Sequence, residues 1–204
     1  MNQLRLPAFR AASELRLPMV HAAELPADVR EVLRPGQTME SRTGTHHVLP
    51  SSFLRIESWE QARSVNLTAH FGLWELIGVD LREAPAASAY PRYVPCALLL
   101  LAAALELLRI EVGSYVHIAA NGGYRSPAHA LSTHASRHCW GTAANIYRIG
   151  DTYLESRQDI EKYAAAARRV IPGVWVRPCG PSVGEADDHL HLDLGYTIFD
   201  PVNE

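Results

Sequence analysis

Asp187-Asp188-His189-Leu190-His191-Leu192-Asp193-Leu194, close to the C-terminal end of the 204-residue chain, alternates between polar and apolar side chains without a break from His189 onward. Successive side chains of a β-strand point to opposite faces, so Leu190, Leu192 and Leu194 share one face and His189, His191 and Asp193 the other. The leucines supply a core face. The opposite face brings together two imidazoles and a carboxylate. That face has two readings of equal weight: a metal ligand beside an acid/base group, or a solvated polar surface with incidental histidines.

Working outward, Val174-Trp-Val-Arg177 reads as a short strand, preceded by the Pro172-Gly173 break. A strongly helical stretch runs from Tyr153 to Val170. Thr142 to Ile149 reads as a strand ended by Gly150-Asp151, and Ser114 to Ala119 as another, with Asn121-Gly-Gly as the turn out of it. Upstream, Cys96 to Ile110 is apolar almost all round, the mark of a central, buried helix, and Pro95 suits its first turn. Thr68 is the expected N-cap of a helix reaching Leu76, and residues 26–33 form one more short helix. The first 60 residues, with scattered prolines and short apolar clusters, read as an accessory segment before a domain spanning 61–204. Helices followed by strands interleaved with a helix predict an α+β fold, a small and mostly antiparallel sheet flanked by helices.

Hydrophobic residues make up 48% and charged residues 20%, ordinary for a chain that buries a core. A net charge of -3 gives no electrostatic case for a nucleic-acid partner. The apolar run Val94–Leu105 is too short to span a bilayer, so no membrane association is expected. The arginines and glutamate of the N-terminal stretch do not read as a secretory signal, which favours a cytoplasmic or phage-associated setting. Cys96, Cys139 and Cys179 form neither a disulfide framework nor a zinc knuckle, and are expected as buried thiols.

A second segment carries the chemistry: Gly123-Tyr-Arg125-Ser126, then Ser136-Arg-His138-Cys-Trp-Gly141-Thr-Ala143-Ala-Asn145. Ser136, His138, Gly141 and Ala143 match, at the same spacing, the Ser-x-His-x-x-Gly-x-Ala-x-Asp pattern of the zinc D-Ala-D-Ala carboxypeptidases and peptidoglycan endopeptidases. In that family a His-x-His or Glu-x-x-Trp-His segment near the C-terminus completes the set. The chain resembles this hedgehog/DD-peptidase fold over residues 67 to 196. The resemblance implies His138 and His191 as zinc ligands and His189 as the acid/base group. It implies Arg125 as anchor for a substrate carboxylate or a developing oxyanion, and Ser136 as a hydrogen-bonding partner at the substrate site. Asp193 is then an orienter of an imidazole. The implied activity is zinc-dependent hydrolysis of peptides containing D-amino acids, such as peptidoglycan stems.

The departure is Asn145, where the family has an aspartate ligand. An amide oxygen keeps the size of the side chain and loses its charge, so zinc affinity is expected to fall by roughly tenfold or more. Three explanations stay open. His138, Asn145 and His191 still hold zinc, helped by His134 or by Glu185, Asp187 or Asp188; or the chain is an inert binding module for a peptide, a cell-wall fragment or a protein; or the asparagine was introduced to disarm an enzyme. The remaining histidines carry less weight. His21, His46 and His47 are expected to be exposed, and His70, His117 and His129 structural.

Overall fold

The computed structural model describes residues 17–182 and 184–201. Elements run in the order β1 (Met19–His21), α1 (Ala27–Leu33), β2 (Thr38–Glu40), β3 (His46–Val48), β4 (Ser52–Arg55), α2 (Trp59–Ser64), α3 (Leu73–Leu76) and β5 (Tyr93–Pro95). There follow α4 (Leu98–Val112), β6 (Val116–Ile118), β7 (Ala143–Ile149), β8 (Thr152–Tyr153), α5 (Arg157–Val170), β9 (Trp175–Val176) and β10 (Leu190–Asp193). The chain is a mixed α/β protein with small antiparallel sheets and a few helices. The main sheet has the order β6-β7-β10-β9, with β8 added to β7. A second sheet, β1-β4-β5, and the hairpin β2-β3 come largely from the first 60 residues.

Alternation sets the main sheet. Leu190 and Leu192 of β10 lie opposite Ile146 and Ala144 of β7, and Leu192 also lies opposite Val176 of β9. Residues directly opposite one another share a face, so these side chains form one buried apolar surface. α5 packs on β9, β10 and α4, and α4 packs on β6. Leu98, Leu101, Leu105 and Leu108 are fully enclosed along α4. Each such leucine contributes about 1.5–3 kcal/mol through burial. The same core takes in Val20, Leu33, Phe53, Leu54 and Ile56, so residues before 60 and after it share one interior.

Several boundaries differ from the sequence reading. Thr68 caps no helix. Its Oγ accepts from the Phe71 N–H and donates to Glu106, stabilising a turn, and the helix expected there is reduced to the single turn α3 behind Gly72. Pro95 ends β5 on the edge of its sheet, where a missing N–H is tolerated, and α4 begins at Leu98. Tyr153 lies in β8, because Ser156 is the true cap of α5, accepting from the Asp159 N–H at 3.1 Å. Strands β1 to β5 were not foreseen. No helix among the described residues is long and apolar enough to cross a membrane.

A histidine-lined cleft on the polar face of the sheet

The other face of the same strands carries the site. Asn145 of β7 stands directly opposite His191 of β10, and Ala143 opposite Asp193. Trp175 of β9 faces Asp193 on the far side, and the Arg177 N–H continues the ladder to the His191 carbonyl at 3.0 Å. The polar face is not a solvated surface: His191 is 3% and Asp193 1% exposed.

His138 reaches this face from a 3-10 turn, Arg137–Trp140, closed by Gly141 in the left-handed region at φ +69°. Its Nδ1–H donates to the Gly123 carbonyl at 2.7 Å, which leaves the lone pair on Nε2. Gly123 can supply that carbonyl only because it lacks a side chain. A Cβ there would meet the Leu76 carbonyl oxygen at 2.1 Å. The Asn121-Gly-Gly element is therefore a close backbone approach, also pinned by the Asn145 N–H donating to the Gly122 carbonyl at 2.7 Å.

His138 and His191 have ring centroids 5.2 Å apart at 67°. His191 Nδ1 lies 2.7 Å from Asn145 Oδ1, and its Nε2 lies 3.2 Å from Asp193 Oδ2. Asp193 thus orients this imidazole, and its other oxygen accepts from the Gly195 N–H. Burial, followed by the charges of Arg125 and His191, holds His138 well below the ordinary imidazole range. Burial likewise lowers His191, to about 4, against the opposing pull of Asp193. Both rings are neutral near pH 7, as metal ligation requires.

His189, just before β10, lines the same cleft. Its Nδ1 is bonded to Asp188, and its Nε2 is enclosed with no partner among the described residues. Arg125 is 7% exposed. Its Nη2 donates to Ser136 Oγ at 3.4 Å, a long contact, and its Nε has no partner among the described residues. Burial lowers its pKa to about 10, which keeps it charged at neutral pH. Together with Leu131, Trp175 and Tyr196, these residues line a cleft of about 890 Å³. That is within the size range of small-molecule and peptide sites.

The donor set fits zinc in part. Two imidazoles sharing a tetrahedral ion at Zn–N distances of about 2.0–2.1 Å have centroids roughly 5 Å apart, matching the observed pair. The third donor is the amide oxygen of Asn145. Among the described residues no three His, Cys, Asp or Glu side chains gather where they could hold a metal. Asp188 is engaged by His189, and Glu185 Oε2 accepts from the Ser182 N–H. His134 lines the cleft and is exposed.

Other cleft residues were missed in the sequence. Trp175 and Arg177 could have been found, since alternation in Val174-Trp-Val-Arg puts them on one face. Arg42, His47 and Tyr196 carry no local signal, because long-range pairing brings them in. His47 stacks on Tyr196 with centroids 3.4 Å apart, the Ala135 N–H donates to the Glu40 carbonyl, and Trp140 Nε1 donates to the Val48 carbonyl. These contacts fasten the β2-β3 hairpin to the His138 segment. Cys96 and Cys139 are buried thiols and Cys179 is half-buried. Comparison with family models, with curated proteins and with solved structures finds no match.

Proposed function

We propose that this chain has a hedgehog/DD-peptidase-like fold and is a zinc-dependent peptidase acting on peptides that contain D-amino acids, such as peptidoglycan stems. The observation that carries this reading is the convergence of His138, Asn145 and His191, two of them cross-strand partners, at the floor of a buried polar cleft. These three would hold the ion. When bound, zinc supplies Lewis acidity toward the scissile carbonyl and toward a water molecule.

The chain's own groups do the rest. His189 Nε2 is placed in the cleft, with Asp188 on the opposite nitrogen fixing the ring. It takes the proton from the attacking water and returns it to the leaving amine nitrogen as the peptide C–N bond breaks. Arg125 neutralises a substrate carboxylate or the oxyanion that develops on the carbonyl, and burial strengthens this. Ser136 holds the guanidinium, and Asp193 holds His191.

One observation favours a second reading, an inert module that binds a peptide, a cell-wall fragment or a protein. Asn145 Oδ1 lies 2.7 Å from His191 Nδ1, so the amide occupies without an ion the ring nitrogen that Asp193 leaves over. Metal content of the purified protein, measured by mass spectrometry beside an identically prepared Asn145→Asp variant, separates the two. Near-stoichiometric zinc in the unaltered protein supports the peptidase. Zinc gained only by the variant supports an intact scaffold disarmed at one ligand. No zinc in either removes the metallopeptidase reading.

A further inference from the structure

The chain carries a net charge of -3, yet its cleft is strongly cationic. Arg42, Arg125, Arg137 and Arg177 all line it, and Glu185 is the one carboxylate residue among its described lining. Arg42, Arg125 and Arg177 have no carboxylate within 4.0 Å among the described residues, and Arg137 approaches Asp193 only at 3.8 Å. Asp193 is already committed to His191 and to the Gly195 N–H. Arg137 is held between two rings, its guanidinium carbon 5.5 Å from the centroid of Trp175 and 4.7 Å from that of Tyr196. Its Nε and the Nε of Arg125 are both buried with no hydrogen-bond partner among the described residues.

Partly buried guanidinium groups repel one another and lose hydration, so gathering them without partners destabilises the empty protein. Their mutual influence is direct: burial lowers the pKa of Arg177, Asp193 opposes this, and the charges of Arg42 and Arg137 lower it further. An arrangement of this kind is relieved when anionic groups enter. Arg125 lies beside Ser136 near the histidines. Arg42 comes from the turn of the β2-β3 hairpin, whose Ser41, Thr43 and Thr45 hydroxyls are linked in a chain. Arg177 extends β9 beside β10. One cation thus belongs to the floor of the cleft and the others to its wall and rim.

We propose that the cleft takes a peptide carrying two carboxylates, one met by Arg125 and the second by Arg42 and Arg177, with the hairpin of the first 60 residues selecting for the second charge. This deepens the peptidase reading and rests on it for the choice of a peptide. Arg42 is exposed, so its replacement leaves the fold intact.

The test measures binding by calorimetry with chelator present, so that hydrolysis plays no part. The probes are two forms of L-Ala-γ-D-Glu-L-Lys-D-Ala-D-Ala, one with the glutamyl α-carboxylate free and one with it amidated. The free form binds the unaltered protein about tenfold more tightly, and the difference shrinks as salt rises. Arg42→Gln removes most of the difference by weakening the free form alone, and Arg42→Lys restores part of it. Equal affinities for the two forms, or binding of neither, overturn the proposal. Discrimination without any hydrolysis by the zinc-loaded protein would leave this inference standing and remove the peptidase reading. Hydrolysis of both forms without discrimination does the reverse.

Discussion

Two polar clusters contact the segment 121–126, and they are built on opposite principles. In one, Glu83 accepts from the Ser126 N–H, the Ser126 hydroxyl and the Ala84 N–H. Next to it His129 has both nitrogens engaged, Nε2 by Asn121 Oδ1 and Nδ1 by the Leu131 N–H, while Asp80 takes Arg82 and Asn121. In the other, Arg125 Nε, Arg137 Nε and His189 Nε2 are enclosed without a hydrogen-bond partner among the described residues. The first is built around the carboxylates of Glu83 and Asp80, the second around guanidinium and imidazole groups. They differ in satisfaction too: the first cluster is complete in itself and rigidifies the loop, and the second is incomplete in the way a site for a ligand is.

Three experiments press on that contrast. The largest effect is expected in metal binding. In an Asn145→Asp background, His138→Ala weakens zinc binding by on the order of 100-fold or more, because a ligand is lost. His129→Ala leaves zinc binding unchanged there, as read by competition with a chromophoric chelator. Equal losses in the two would erase the distinction between the clusters.

Next comes stability. Glu83→Ala strands two buried donors and a half-buried one and costs about 2 kcal/mol in urea unfolding. Arg125→Met, which removes a charge held by one long hydrogen bond, changes stability by less than about 1 kcal/mol in either direction. A loss of similar size for Arg125→Met would make that arginine a structural group.

The smallest effect concerns Glu106, a satisfied carboxylate near the surface. Burial raises its pKa, but hydrogen bonds from His70 and Thr68 and the charge of His70 outweigh this and leave it lowered. A carboxyl lowered in the folded state contributes stability above its unfolded value of about 4.3, and the contribution is lost as pH falls through the folded value. Glu106→Gln therefore costs about 1 kcal/mol at pH 7 and progressively less toward acid, in urea titrations at a series of pH values. A cost independent of pH would point to packing in place of charge.

The legibility of the molecule follows the range of its contacts. α1, α4, α5, β6, β7, β9 and β10 stood out because periodicity or alternation is written within each segment. The strands β1 to β5, each of three or four residues, lie among Pro18, Pro35, Pro50, Pro91 and Pro95, which gave their segments the look of loops. Thr68 misled because a threonine caps a turn as readily as a helix. In the site, His191 and Asp193 were visible from alternation, and His138, Asn145, Arg125 and Ser136 from spacing that resembles a known pattern. Arg42 and His47 were invisible. Nothing local says that a hairpin near residue 40 stacks on Tyr196.

That stack also sets an order of events. The His47–Tyr196 contact joins the first third of the described chain to nearly its last strand, so a growing polypeptide emerges with its cleft unroofed. The helices and the β1-β4-β5 sheet can form while synthesis continues, and the hairpin can meet Ala135 and Trp140, but the rim bearing Arg42 lacks its stacking partner until Tyr196 has left the ribosome. The stack that closes the hairpin onto the cleft is thus among the last contacts to form.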